Sequence, residues 1–190
     1  MTALRERPRG RVEIELDGVP WRVVPADAAV RAGLAAGRAL DRPTARALGR
    51  ELRRARALGV AVRALRHRDL SRRRLQERLA AKGSGAAATA EALATLERAG
   101  LLDDGRVAAA RAESLAGRGY GDAAIRDALE RDGIAGEAVD AALAALEPEP
   151  VRARALLARR GESVKTLRWL AARGFDASAL EELAGFAEEA

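Results

Sequence analysis

Asp103 and Asp104 stand side by side, an arrangement from which metal sites and acid–base pairs are often built. Adjacent residues at a helix start diverge in direction, however, and no third ligand is placed nearby in the sequence. An aspartate here is expected to cap a helix beginning near Gly105 and to interact with its positive end. The run Gly117-Arg-Gly119-Tyr-Gly121 has the look of a phosphate loop, yet no strand precedes it and no Gly-Lys-Ser/Thr follows, so it reads as a turn between helices. His67, the single histidine, lies among arginines, where a metal would be repelled and only Asp69 is near enough to orient a general base. There is no cysteine, which leaves out disulfides and thiolate metal sites, and no serine in a Gly-x-Ser-x-Gly setting to act as a nucleophile. Tyr120, Trp169 and Phe175 are spaced as core residues, and with 3% aromatics the chain lacks a base-stacking platform. The residues therefore point away from an enzyme: no catalytic residue, no metal and no cofactor is expected.

Charge offers more. The net +6 hides an asymmetry: residues 1–82 hold 21 basic and 9 acidic side chains, while residues 83–190 hold 13 basic and 19 acidic. The densest stretch runs from Arg63 to Lys82, where Arg63, Arg66, Arg68, Arg72, Arg73, Arg74, Arg78 and Lys82 face only Asp69 and Glu77. Such a field attracts phosphate backbones or an acidic protein groove and speeds encounter with either. A solvated helix face in an arginine-rich protein accounts for the composition equally well; the clustering is the informative part.

The elements that position these residues are mostly helical. Ala, Leu, Arg and Glu fill the sequence, and strand-favouring residues are scarce after Val24. The exception is RVEIELDGVPWRVV, where Val12, Ile14 and Leu16 alternate with Arg11, Glu13 and Glu15 and Asp17-Gly18 supplies a two-residue hairpin turn. Pro20 removes a ladder donor, so the return strand is expected at an edge or to begin pairing at Trp21. Trp21 is expected to pack on a short helix near Ala26–Ala32, with Gly33 and Gly37 as stops and a third strand at Arg38–Leu40. Asp41-Arg-Pro43-Thr44 then reads as a helix start, with a helix from Thr44 to about Arg66 that Gly59 kinks or divides. The first eleven residues carry charge throughout and no run approaches the ~18 apolar residues of a membrane span, so the reading is a protein without membrane attachment, in the reducing cytoplasm.

Beyond this the chain repeats. Leu70-Ser71-Arg-Arg-Arg-Leu75-Gln-Glu-Arg-Leu79-Ala-Ala-Lys82-Gly83 aligns with Tyr120-Gly121-Asp-Ala-Ala-Ile125-Arg-Asp-Ala-Leu129-Glu-Arg-Asp132-Gly133, apolar positions and terminal glycines coinciding. Leu93 and Leu96 follow Gly83 at the distances at which Leu143 and Leu146 follow Gly133, a 50-residue unit. A third, shorter copy runs from about Val151, with Ser163, Leu167, Leu170 and Gly174-Phe175 in place. A unit of three helices buries little alone, so tandem units must stack. The expectation is a mainly α fold of tandem three-helix repeats in an elongated curved array: a β-hairpin cap at 1–43, repeats at 44–102 and 103–148, and a divergent third at 149–190.

These motifs carry a resemblance. Ala64-Leu-Arg-His-Arg-Asp-Leu-Ser71, the Lys82-Gly83 stop, the Leu93–Leu96 helix and Ala99-Gly-Leu-Leu-Asp-Asp-Gly-Arg-Val-Ala108 are similar to the RecX family of regulators of the RecA recombinase. Gly119-Tyr-Gly121 and Asp132-Gly-Ile134 add to the likeness, which covers residues 60–147 best. Val107 stands where the family usually has phenylalanine, and Arg74 where an acidic residue is common. The resemblance implies a monomeric inhibitor that binds the RecA–DNA filament and depresses its recombinase, ATPase and coprotease activities. It makes Leu101, Asp103, Asp104, Gly119 and Gly121 a repeat-junction signature. Arg66, Arg68, Arg72, Arg73, Arg74, Arg78 and Lys82 are the candidate contacts to RecA or to DNA phosphates. The alternative from another class is direct binding of single- or double-stranded DNA through the basic helical surface.

Overall fold

The computed structural model describes residues 2–181. It begins with a three-stranded antiparallel sheet in the order β1 (Thr2–Arg7), β2 (Arg11–Leu16), β3 (Val19–Pro25). The expected hairpin is β2–β3, closed by Asp17 and Gly18 with φ of 51° and 80°, the two positive dihedrals of a type I′ turn. β3 is an edge strand. Its pairing slips between Ile14 and Glu15, which pair with Arg22 and Pro20, so Trp21 is the extra residue of a bulge beside the proline that cannot donate.

Two expectations fail here. The third strand is Thr2–Arg7 and not Arg38–Leu40, which is irregular; Gly37 and Arg38 only clip the strand's start, through Gly37 N–H to the Thr2 carbonyl (2.8 Å) and Thr2 N–H to the Arg38 carbonyl (3.0 Å). Trp21 does not cover helix α1 (Ala26–Arg31). It is 46% exposed with Arg22 stacked 5.7 Å from its ring, because the bulge takes it out of the alternation that aims Val24 inward. Ile14, Val24, Ala29, Ala32 and Leu48 form the core that joins the sheet to α1 and α2.

Helix α2 (Arg42–Leu65) starts where Asp41-Arg-Pro43 placed it, the Asp41 carboxylate accepting from the Thr44 N–H at 2.8 Å. It runs unbroken past Gly59. α2 packs on α4 (Ala86–Arg98), and Ala57, Ala61, Ala92, Leu93 and Leu96 are buried there. Between them in the chain lies α3 (Arg72–Ala81), whose Leu75 and Leu79 are fully buried, each worth ~1.5–3 kcal/mol of transfer free energy. Next come α5 (Asp104–Gly117), α6 (Asp122–Arg131) and α7 (Gly136–Ala144), which pack mutually around Ala108, Ala112, Ile125, Leu129 and Val139. α8 (Glu149–Arg160) and α9 (Val164–Ala171) enclose Ala153, Leu157, Leu170 and Phe175, and the chain is helical again at residues 177–181.

The chain divides into two compact units. One comprises the residues up to Arg68 together with Leu75–Leu101; the other comprises Asp69–Arg74 together with the residues from Leu102 on. One helix ending recurs. Gly83, Gly133 and Gly174 have φ of 75°, 76° and 79°, and the next N–H in each case reaches back to the carbonyl of Leu79, Leu129 or Leu170. A left-handed residue satisfying the last carbonyls is the glycine cap that the aligned Lys82-Gly83 and Asp132-Gly133 implied.

Candidate partner-binding surface

The basic helix α3 is preceded by Ser71, 1% exposed, whose Oγ accepts from the Arg74 N–H (3.2 Å) and donates to the Asp132 carbonyl (2.5 Å). The Arg72 N–H donates to the Asp104 carboxylate at 2.7 Å. Two first-turn donors that α3 cannot satisfy internally are thereby met. Asp132 takes Arg74 Nε on Oδ1 (3.0 Å) and Arg111 Nε on Oδ2 (2.8 Å). Arg73 lies along Gly133 so closely that a Cβ there would stand 2.1 Å from Arg73 Cδ. Arg72, Arg73 and Arg74 thus make contacts within the chain.

The same kind of junction recurs at the start of α6. Gly121 N–H donates to the Arg173 carbonyl (2.9 Å) and Ala123 N–H to that of Gly174 (3.2 Å). A Cβ on Gly121 would lie 2.3 Å from the Gly174 carbonyl carbon, backbone against backbone. Glu149, 9% exposed, accepts from the Asp122 N–H (2.5 Å) on one oxygen and from the Asp176 N–H (3.1 Å) on the other. Arg152, equally buried, donates to the carbonyls of Glu147 (2.8 Å) and Tyr120 (3.0 Å) and to the Asp122 carboxylate. Arg173 stacks 4.6 Å from the Tyr120 ring and 4.4 Å from that of Trp169. Glu149 and Arg152 escaped sequence reading because their partners lie about thirty residues away, a separation no local pattern reports.

The junction residues read from sequence occupy distinct positions. Asp103 caps α5, accepting from the Arg106 N–H at 3.0 Å, while its neighbour Asp104 serves α3. Leu101 follows the left-handed Gly100 and is 52% exposed. Gly119 has φ of 79° and meets the Trp169 ring, 3.3 Å from where a Cβ would stand.

The remaining cations are differently placed. Arg66, Arg68, Arg78 and Lys82 are exposed and have no ion-pair partner among the described residues. Arg78 and Lys82 join Val60, Arg63, Ala64 and His67 around a concavity of about 330 Å³ in the first unit, lined by no carboxylate. Asp69, the only acid between His67 and α3, is held by Arg106 at 3.7 Å. Arg63 of α2 and Arg78 of α3, with Lys82 just after it, line one concavity beside His67, a grouping that no single helix's sequence displays. Side chains of this kind, grouped without a carboxylate among them, attract anions.

Comparison with known proteins gives the lineage. Over 141 residues the chain is 38% identical to "Regulatory protein RecX" of Xanthomonas oryzae pv. oryzae, covering 69% of this chain and 86% of that one. The protein of the same name from Halorhodospira halophila is 32% identical over 140 residues, covering 68% and 87%. The chain belongs to the RecX family. No family model matches it. Two RecX crystal structures share the fold: one at a TM-score of 0.81 and 21% identity, covering 95% of this chain and 98% of the other, and that of RecX from Lactobacillus salivarius at 0.62 and 15%, covering 73% and 98%. The relatives of this RecX-family chain are named as regulatory proteins. No helix among its described residues is long and apolar enough to cross a membrane.

Proposed function

We propose that this chain regulates the RecA recombinase, mainly as an inhibitor, by binding the RecA–DNA filament in the cytoplasm as a monomer. It acts by occupancy: seated on the filament, it hinders the growth or subunit motions on which strand exchange, ATP hydrolysis and coprotease activity depend. No metal, cofactor or catalytic group of its own enters the reading. We also take the helices as three tandem repeats with boundaries near residues 44, 103 and 149, a division supported by the recurring glycine cap at Gly83, Gly133 and Gly174.

The observation that carries the contact assignment is the uncompensated cationic concavity of Arg63, Arg78 and Lys82 beside His67, with Arg66 and Arg68 near it in sequence. Fixed positive charge without local carboxylates raises encounter rates with an acidic protein surface or a phosphate backbone. Arg72, Arg73 and Arg74 hold the α3 junction, so among the seven basic residues read from sequence the partner contact falls on Arg66, Arg68, Arg78 and Lys82.

RecA's DNA-dependent ATP hydrolysis tests this. Substoichiometric protein should depress it, and the R78E/K82E double variant should relieve the depression. No effect of the parent chain at about tenfold excess would sink the reading. A chain that binds bare DNA with a steep salt slope and gains no affinity on RecA-coated DNA would be a nucleic-acid binder instead.

A further inference from the structure

A second basic surface lies on α2, in residues that the basic stretch of the sequence does not include. Arg42, Arg46, Arg50, Arg53 and Arg56 recur at helical spacing, and at 3.6 residues per turn they fall within one arc of about 120°. All five are exposed, and none has an ion pair among the described residues. Glu51, the one acidic residue of α2, is on the opposite side of the helix, paired with Arg54, which also reaches Glu91. Five like charges on one face repel one another and lower the stability of an isolated helix. The cross-helix ion pairs that would offset this are built at Arg54 and omitted along the stripe.

Gly49 supplies an independent observation. It lies in the helix interior, where glycine is a poor choice, and a Cβ there would meet only Arg53 Nη1 at an ordinary 3.5 Å. Packing does not demand this glycine. Its effect is to leave bare backbone at the floor of a shallow groove of about 610 Å³, lined by Arg42, Ala45, Arg46, Gly49, Arg50 and Arg53. The combination of guanidinium walls, an open floor and no aromatic or acidic side chain suits a repeating anion and offers nothing to read a base.

We propose that this arginine face of α2 is a binding site for the phosphodiester backbone of nucleic acid, independent of sequence and separate from the cationic pocket at α3. From Arg42 to Arg56 it runs about 21 Å, the length of about six phosphates along one strand of a duplex. An acidic protein segment is the disfavoured occupant, because carboxylates at irregular spacing gain little from a continuous stripe with a close-approach floor.

The experiment is fluorescence anisotropy of labelled single-stranded and duplex oligonucleotides with the full chain across a salt series, without RecA, so that it stands or falls apart from the regulatory reading. R46Q/R50Q/R53Q should weaken binding at least about tenfold at low salt. It should also flatten the slope of log K against log salt by about 2 for single strands and nearly 3 for duplex. G49A should raise the melting temperature and weaken binding. R126Q/R131Q/R159Q, which removes the same charge elsewhere, should keep the parent slope. An unchanged slope in the first variant, an equal loss in the third, or displacement of DNA by poly-glutamate as readily as by unlabelled DNA would overturn the assignment.

Discussion

At Asp132 one carboxylate holds two guanidinium groups while the residue's own carbonyl takes the Ser71 hydroxyl. The arginines are about half exposed, so removing the acid leaves them solvated and costs on the order of 1 kcal/mol. Ser71 is the more demanding position because it is buried and bonded twice. We predict that S71A loses about 2 kcal/mol, read as a lower denaturant midpoint, and more than D132A. Glycine at 121 is stricter still. G121A would drive a methyl into the Gly174 backbone, which cannot rotate away, and should cost at least about 2 kcal/mol; a melting temperature equal to the parent's would refute the contact. How much of this was legible differs by residue. The glycines were visible as repeat punctuation, and the Asp103-Asp104 pair as the source of a cap, though not which of the two supplies it. That Asp104 serves α3 and Asp132 serves Arg74 depends on partners 32 and 58 residues away.

Among the elements, α2 matched its expected span within two residues because its start is chemically explicit: an aspartate cap, then a proline in the first turn. Gly59 did not divide the helix, since the buried alanines 57, 61 and 64 hold its neighbours from both sides. The cap carries a pH dependence. The hydroxyl and N–H of Thr44 hold the Asp41 carboxyl below its ordinary 3.8. A carboxyl lowered on folding contributes stability that is fully present above the unfolded value and is lost as pH falls through the folded one. The melting-temperature difference between the parent and D41A should therefore be constant from pH 7 to about 5 and shrink once the pH falls below 3.8; a difference that grew in acid would contradict the cap. β1 was not legible: Thr2–Arg7 carries a single large apolar residue, Leu4, and its alternation is drowned by arginines. Trp21 was misplaced because a bulge changes which face a side chain takes without changing the sequence pattern.

On the scale of the whole molecule the charge asymmetry sorts into functions. Many arginines of the second unit, and Arg74 at the α3 start, pair with acids or stack on rings, whereas those of the α2 stripe and the concavity beside α3 have no ion pair among the described residues. The division into units has a further consequence, since the chain passes between them after Arg68, Arg74 and Leu101. A fragment ending at Leu101 keeps the α3 start but loses Asp104 and Asp132, and one beginning at Leu102 keeps those acids with nothing to hold. We predict that the two pieces, measured separately by circular dichroism, sum to less helicity than the intact chain; equality would show that each side is self-sufficient. A chimaera maker who grafts a repeat by its sequence boundary would therefore leave six residues behind, and a graft of the second unit must bring Asp69–Arg74 with it.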